Sequence, residues 1–184
     1  MPINRLLILD VETAGVTPQS PCIEVAVSVF DVPHASVVRS FSSLIRGDRN
    51  QAFHVNQIHE RLLQDAPLPD AVWSAVARSV ERCEAIVSHN ANFDRRYVPT
   101  AVVAGRPWFC SCYDFAWPAA LKAGSSLSAL ARDHSVPLGG VHRAAADVDT
   151  LARLFAHVDR VSNLTQLIDR ALAKAAGRSK RPAP

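Results

Sequence analysis

Leu6-Leu7-Ile8-Leu9-Asp10-Val11-Glu12-Thr13 opens on four consecutive apolar residues and closes on two carboxylates. A continuous apolar run suits a central strand covered on both faces, because a half-solvated strand would alternate apolar with polar. The first expectation is therefore a sheet built around residues 6–9. A turn-rich segment, Gly15-Val16-Thr17-Pro18-Gln19-Ser20-Pro21, leads into residues 22–30, where Ile23, Val25, Val27 and Val29 alternate with Glu24, Ala26 and Ser28. That period of two marks a second strand. Residues 36–45, rich in β-branched side chains and joined by a short connection, complete an antiparallel meander of three strands.

From residue 50 the period changes. Ala71, Val72, Ala75, Val76, Ser79 and Val80 recur at helical spacing behind Pro67 and Pro69, which mark a helix start. Ala85-Ile86-Val87 reads as a short buried strand, followed by a helix from about residue 92 that Pro99 kinks or restarts. A last strand is expected at 109–112, then helices at 115–123, 127–133, 144–158 and 164–175. Strands first, then strands alternating with helices, describe an α/β domain with a mixed central sheet flanked by helices. The expected organisation is one domain over residues 1–176 and a basic, proline-containing tail over 177–184.

With 184 residues, 48% of them apolar, the chain has material for one sizeable core. Its 20 Lys and Arg against 17 Asp and Glu give a net charge of +3. Arg170, Lys174, Arg178, Lys180 and Arg181 all follow the last acid, Asp169, so the body is mildly acidic and the end basic. No apolar stretch approaches the roughly 18 to 20 residues of a membrane span, and no charged-then-apolar leader opens the chain. A soluble, unexported, cytoplasmic protein without a membrane partner is the expectation. Cys22, Cys83, Cys110 and Cys112 form no disulfide framework and no zinc spacing, and read as reduced packing residues. There is no G-x-x-x-x-G-K or G-x-G-x-x-G loop, which argues against nucleoside-triphosphate and dinucleotide chemistry.

Residues two apart on a strand share a face, so Asp10 and Glu12 extend in parallel from the end of the central strand. They can share a cation or stand as a solvated strand end. Asp94 lies in the first helical turn after the strand at 85–87, where it can serve as a capping acid or as part of a site. His142 and Asp147 are five apart and cannot share a helix face. His142 therefore precedes the last long core helix, behind Gly139 and Gly140, while Asp147 points inward beside Val148, Leu151 and Phe155. Taken singly, His142 reads first as a polar surface residue and Asp147 as a helix cap.

Taken together, Asp10-Val11-Glu12-Thr13, Asn90-Ala91-Asn92-Phe93-Asp94 and His142-Arg143-Ala144-Ala145-Ala146-Asp147 resemble the three exonuclease motifs of the DEDDh 3′-to-5′ exonucleases. That family includes the proofreading subunit of bacterial DNA polymerase III, RNase T and oligoribonuclease. The match spans roughly residues 5–158, and Ile23-Glu24-Val25 resembles the family's second strand. The resemblance implies a ribonuclease H-like fold and two divalent ions, Mg²⁺ or Mn²⁺, an oxygen-ligand preference that suits hard cations. It places Asp10, Glu12 and Asp147 on one ion, Asp10 bridging to the second, and Asp94 bound partly through water. It makes His142 the general base, a role its near-neutral titration fits. Thr13 and the neighbouring backbone at Ala14 become contacts to the terminal nucleotide, with Asn90 and Phe93 lining the cleft.

Three positions depart from the family pattern: Ala14 stands where a second threonine is common, Gln57 where glycine is frequent in the segment Val55-Asn56-Gln57-Ile58, and Pro99 interrupts the helix after Asp94. The implied activity is release of nucleoside monophosphates from 3′ ends, foremost of single-stranded DNA. RNA trimming or oligoribonucleotide degradation is the alternative among nucleases, and a catalytically silent nucleic-acid-binding module the alternative of another class. Nucleic acid with a free 3′ end is the implied partner, with a polymerase subunit or a second copy of the chain as further candidates.

Overall fold

The computed structural model describes residues 3–103, 105–118, 124–140 and 142–179. The apolar run at 6–9 lies in β1 (Arg5–Thr13), the middle strand of a five-stranded sheet. β2 (Cys22–Asp31) pairs antiparallel with β1, and β3 (Ser36–Leu44) antiparallel with β2. On the other side β4 (Ala85–Ser88) runs parallel to β1 and β5 (Trp108–Cys110) parallel to β4. The sheet order is β3-β2-β1-β4-β5, so the expected meander and the mixed sheet are both present.

The helices are α1 (Phe53–Asn56), α2 (Glu60–Gln64), α3 (Pro69–Val80), α4 (Ala91–Asp94), α5 (Thr100–Val103), α6 (Leu127–Asp133), α7 (Ala144–Val161) and α8 (Leu164–Ser179). The pleat of β1 sorts its apolar side chains into two layers. Leu6 and Ile8 enter a core with Val148, Leu151 and Phe155 of α7 and Ile168 of α8. Leu7, Leu9 and Val11 face the opposite way, onto Val72, Val76 and Val80 of α3. This two-sided cover is why the run needs no polar alternation. Cys83, Cys110 and Cys112 are buried in the second layer as packing residues, all with free thiols.

Four details differ from the sequence reading. The helix after β4 is a single turn, and Pro99, which has no N–H to donate, precedes a separate turn, α5. Helices α1 and α2 fall in a stretch with no readable period, being four and five residues long. Residues 115–118 of the helix expected at 115–123 are not helical, and 119–123 lie outside the described residues. Phe115 and Trp117 instead pack their rings against Phe155, with centroids 5.1 and 5.7 Å away. Finally α8 continues to Ser179, past the helix end expected at 175, while 180–184 lie outside the described residues. Its last turn is tied down: Arg178 donates to the buried Asp114 at 2.5 Å, and Lys174 Nζ donates to the Tyr113 carbonyl at 2.6 Å. A buried carboxylate needs such a counter-charge, so the basic end is partly structural.

Phe155 is fully buried and also meets Phe30 at 6.0 Å. Phe155→Ala should cost about 3–5 kcal/mol in urea unfolding. Val38→Ser on the exposed edge strand serves as a control that should stay within about 0.5 kcal/mol of the parent.

Candidate active site

The parity that sends Leu6 and Ile8 toward α7 continues to Asp10 and Glu12, so both carboxylates leave β1 on the α7 side. Their cross-strand partners are Ala26 and Glu24. α7 starts at the fully buried Ala144, a side chain small enough to bring the helix start onto the sheet. Asp147 in its first turn thereby reaches the end of β1. Asp94, at the end of α4, is 2% exposed, and its Oδ1 accepts a hydrogen bond from the Val11 backbone N–H at 3.2 Å. His142 precedes α7 with φ +57, a left-handed conformation. All five side chains line one cleft of about 470 Å³.

One ligand atom each from Glu12, His142 and Asp147 lie within 4.8 Å of one another, close enough to hold a metal ion together. Asp10 and Asp94 add carboxylates beside them. Glu24 is neutralised by Arg143, 2.7 Å away, whereas among the described residues none of Asp10, Glu12, Asp94 or Asp147 forms a salt bridge. The electrostatic consequence is large. Burial, then the charges of Asp94, Asp147, Glu12 and Glu24, push the Asp10 carboxyl well above its ordinary range. Burial and the charges of Asp147 and Glu24 raise Glu12 to about 7, against relief from Arg143. Asp94 is raised to about 8 by burial, although the Val11 N–H favours its ionised form. Asp147 is raised to about 6, again by burial, with His142 pulling the other way. A buried group of acids that repel one another is a donor set suited to a hard divalent cation, whose charge would reverse each of these penalties.

The remaining expected residues separate. Thr13 lines the cleft, but its hydroxyl donates to the Gly15 carbonyl at 2.6 Å, so it shapes the turn. Ala14 does not line the cleft; it packs with Ile23, Ile58 and Leu63, and its N–H and carbonyl bond to Pro21, Gln51 and Ala52. The β1–β2 register shifts after Glu12, with Ile23 the extra residue on β2, and Ala14 lies past the end of β1 in the minor core. Asn90 and Phe93 line the cleft, Phe93 lying against Tyr97 with ring centroids 4.9 Å apart. The rim also takes in Val55, from the segment singled out at 55–58, and four residues with no expected role, Val16, His89, Leu127 and Leu138. Val16 is 86% exposed, an apolar side chain in a turn, and was the one readable signal among them. His89 is held by Ser111 Oγ and the Ser125 carbonyl, both at 3.0 Å, and burial lowers its pKa. The cleft thus has an acidic floor and apolar walls.

The family model described as RNase_T exonuclease matches residues 7–155 of the chain. A 3′-5′ exonuclease DinG of Staphylococcus epidermidis is 28% identical over 167 residues, 84% of this chain and 18% of that protein. Exodeoxyribonuclease 10 of Escherichia coli is 37% identical over 109 residues, 58% of this chain and 44% of that protein. The chain therefore spans less than half the length of either curated relative. Among solved structures, Exonuclease X in complex with 5′ overhanging duplex DNA superposes with a TM-score of 0.71 at 29% identity, over 92% of this chain and 99% of that one.

Raised carboxyl pKa values mean that the folded state binds protons more tightly than the unfolded chain. Stability without metal should therefore fall as pH rises from about 4 through about 8, the window set by Asp94 at 3.8 unfolded and about 8 folded. Asp94→Asn keeps an oxygen acceptor for Val11 and removes one charge. In metal-free buffer its Tm should exceed the parent's at pH 8, by about 2–4 °C per kcal/mol relieved, and match it near pH 4.

Proposed function

We propose that this chain, which belongs to the RNase_T family of exonucleases, is a metal-dependent 3′-to-5′ exonuclease that releases nucleoside 5′-monophosphates, foremost from single-stranded DNA ends. The observation that carries this reading is the convergence of Asp10, Glu12, Asp94, Asp147 and His142 from three separate segments on one cleft. The DNA preference draws on the relatives, one named an exodeoxyribonuclease and one solved with duplex DNA.

In this reading Asp10, Glu12, Asp94 and Asp147 hold two divalent ions, Mg²⁺ or Mn²⁺, which when bound supply charge stabilisation to the attacking and leaving oxygens of an in-line displacement. His142 is the general base. It stands exposed at the cleft mouth within 4.8 Å of Glu12 and Asp147 carboxylate oxygens, where it can take the proton of the attacking water. The water oxygen bonds to the terminal phosphorus as the bond to the 3′ oxygen of the preceding nucleotide breaks, and that oxygen leaves with a proton from solvent.

The walls give a reason for acting at an end. Val16, Val55, Leu127 and Leu138 offer apolar surface without a base-reading pattern of donors, and Phe93 can stack on a base whatever its identity, an interaction worth about 1–3 kcal/mol.

The test is incubation with 5′-labelled single-stranded DNA and RNA in Mg²⁺, Mn²⁺ or EDTA, resolved on a sequencing gel. The expected result is a ladder shortening from the 3′ end with metal, faster on DNA, and absent for Asp10→Ala. His142→Ala should lower kcat at neutral pH by roughly 10²- to 10⁴-fold. No ladder with any substrate, with binding retained, would establish a silent binding module instead.

A further inference from the structure

Glu24 is 4% exposed in the middle of the fold, and one short stretch of chain occupies both of its carboxylate oxygens. Oε1 accepts from Arg143 Nη2 at 2.7 Å and Nε at 3.2 Å, while Oε2 accepts from Nε at 3.2 Å and from the Ala144 backbone N–H at 3.0 Å. Arg143 stands at the N-cap of α7 and makes no side-chain cap of its own. A carboxylate from β2 therefore takes the place of the missing cap, meeting the positive end of the helix and a guanidinium fork at once.

The placement of this clip is what gives it consequence. Along the chain it follows His142 directly and precedes Asp147 by one helical turn. Across the sheet, Glu24 is the register partner of Glu12. The base and the acid it faces are thus fastened through one rung of the β1–β2 ladder. His142 needs such fastening, because φ +57 disfavours a residue with a Cβ, and among the described residues its imidazole makes no hydrogen bond that would hold the ring. Two residues before it, an added Cβ on Gly140 would meet nothing within 4 Å among the described residues, whereas one on Gly139 would lie 3.0 Å from the Ala146 Cβ.

The geometry points to Glu24 as a positioning residue of the proposed reaction: through Arg143 and the Ala144 amide it holds the backbone that aims His142 at Glu12 and Asp147. This inference rests on the nuclease reading and adds to it a residue that touches neither substrate nor metal. A purely structural ion pair would support the whole sheet equally, whereas a positioning pair shows its largest effect where the His142 imidazole is present.

Every donor in the clip faces an oxygen, so Glu24→Gln must turn an amide NH₂ against Arg143 or Ala144 while keeping its volume. It should lower kcat roughly 10- to 100-fold, the effect of a misplaced catalytic group, with KM changed by less than about threefold. Glu24→Gln/Arg143→Met removes the stranded guanidinium as well and should show no further loss. On a His142→Ala background, the Glu24→Gln change should cost less than about twofold, since the group it positions is gone. An unchanged kcat, or the same fractional loss on both backgrounds, would overturn the proposal. The activity-independent readout is the His142 ring signal in ¹⁵N-histidine spectra of the full chain, sharp in the parent and broadened or moved in Glu24→Gln. A parent that shortens no oligonucleotide counts against the nuclease reading itself; the spectra then judge the clip, and an unaltered His142 signal overturns it.

Discussion

The alternation of a β-strand imposes the constraint on which the site depends. In β1 the even positions Leu6 and Ile8 are committed to the α7 layer by burial, so Asp10 and Glu12, in step with them, leave the strand on the same side. Slipping the register of β1 by one residue would exchange the side chains that enter the two layers and send both carboxylates to the α3 face. Hydrophobic burial along the first half of the strand thus orients the polar second half. The same burial, acting on Val148, Leu151 and Phe155, docks α7 where Asp147 can join them.

The acids so assembled oppose the fold that gathers them. Mutual repulsion and desolvation raise Asp10, Glu12, Asp94 and Asp147, a cost that a scaffold covered on both faces can bear and a small half-open sheet could not. Glu24 shows the contrast within the same patch. Its neighbour across the rung, Glu12, faces the cleft unpaired, while Glu24 itself is buried against Arg143 and the start of α7. Adjacent carboxylates on one face therefore divide into an unneutralised set left for a ligand and a neutralised one left for the scaffold.

The walls follow from a different source. Val16 and Val55 arrive on turns and a four-residue helix, held by side-chain-to-backbone bonds instead of by a core face. Asn56 is the hinge of that arrangement: its amide donates to the Thr13 carbonyl at 3.2 Å, and its oxygen accepts from Asn50 and Ile58. This buried amide, with the Ala14 carbonyl that accepts from Gln51 and Ala52, joins the end of β1, which carries the acids, to the loop that carries an apolar wall. Polar networks of this kind leave no periodicity in a sequence, which is why the segment from 45 to 68 gave no element to read.

What the amino-acid order determined by itself was everything that rests on period and on residue chemistry. The unbroken run at Leu6 to Leu9 called for a covered central strand, alternation in 23–29 for its antiparallel neighbour, and helical spacing in 71–80 and 144–158 for the helices that cover the two faces. The motif residues Asp10, Glu12, Asp94, His142 and Asp147 could be named because three short patterns occur in order. Where non-periodic and long-range contacts lead was settled by folding. Backbone bonds to Pro21, Gln51 and Ala52 hold Ala14 in the minor core, ring packing holds Phe115 and Trp117 out of a helix, and buried Asp114 draws Arg178 back so that α8 runs on. Glu24 is the clearest instance. In the sequence it is one polar residue in an alternating strand; the charge 119 residues away that gives it a role is brought to it only by folding.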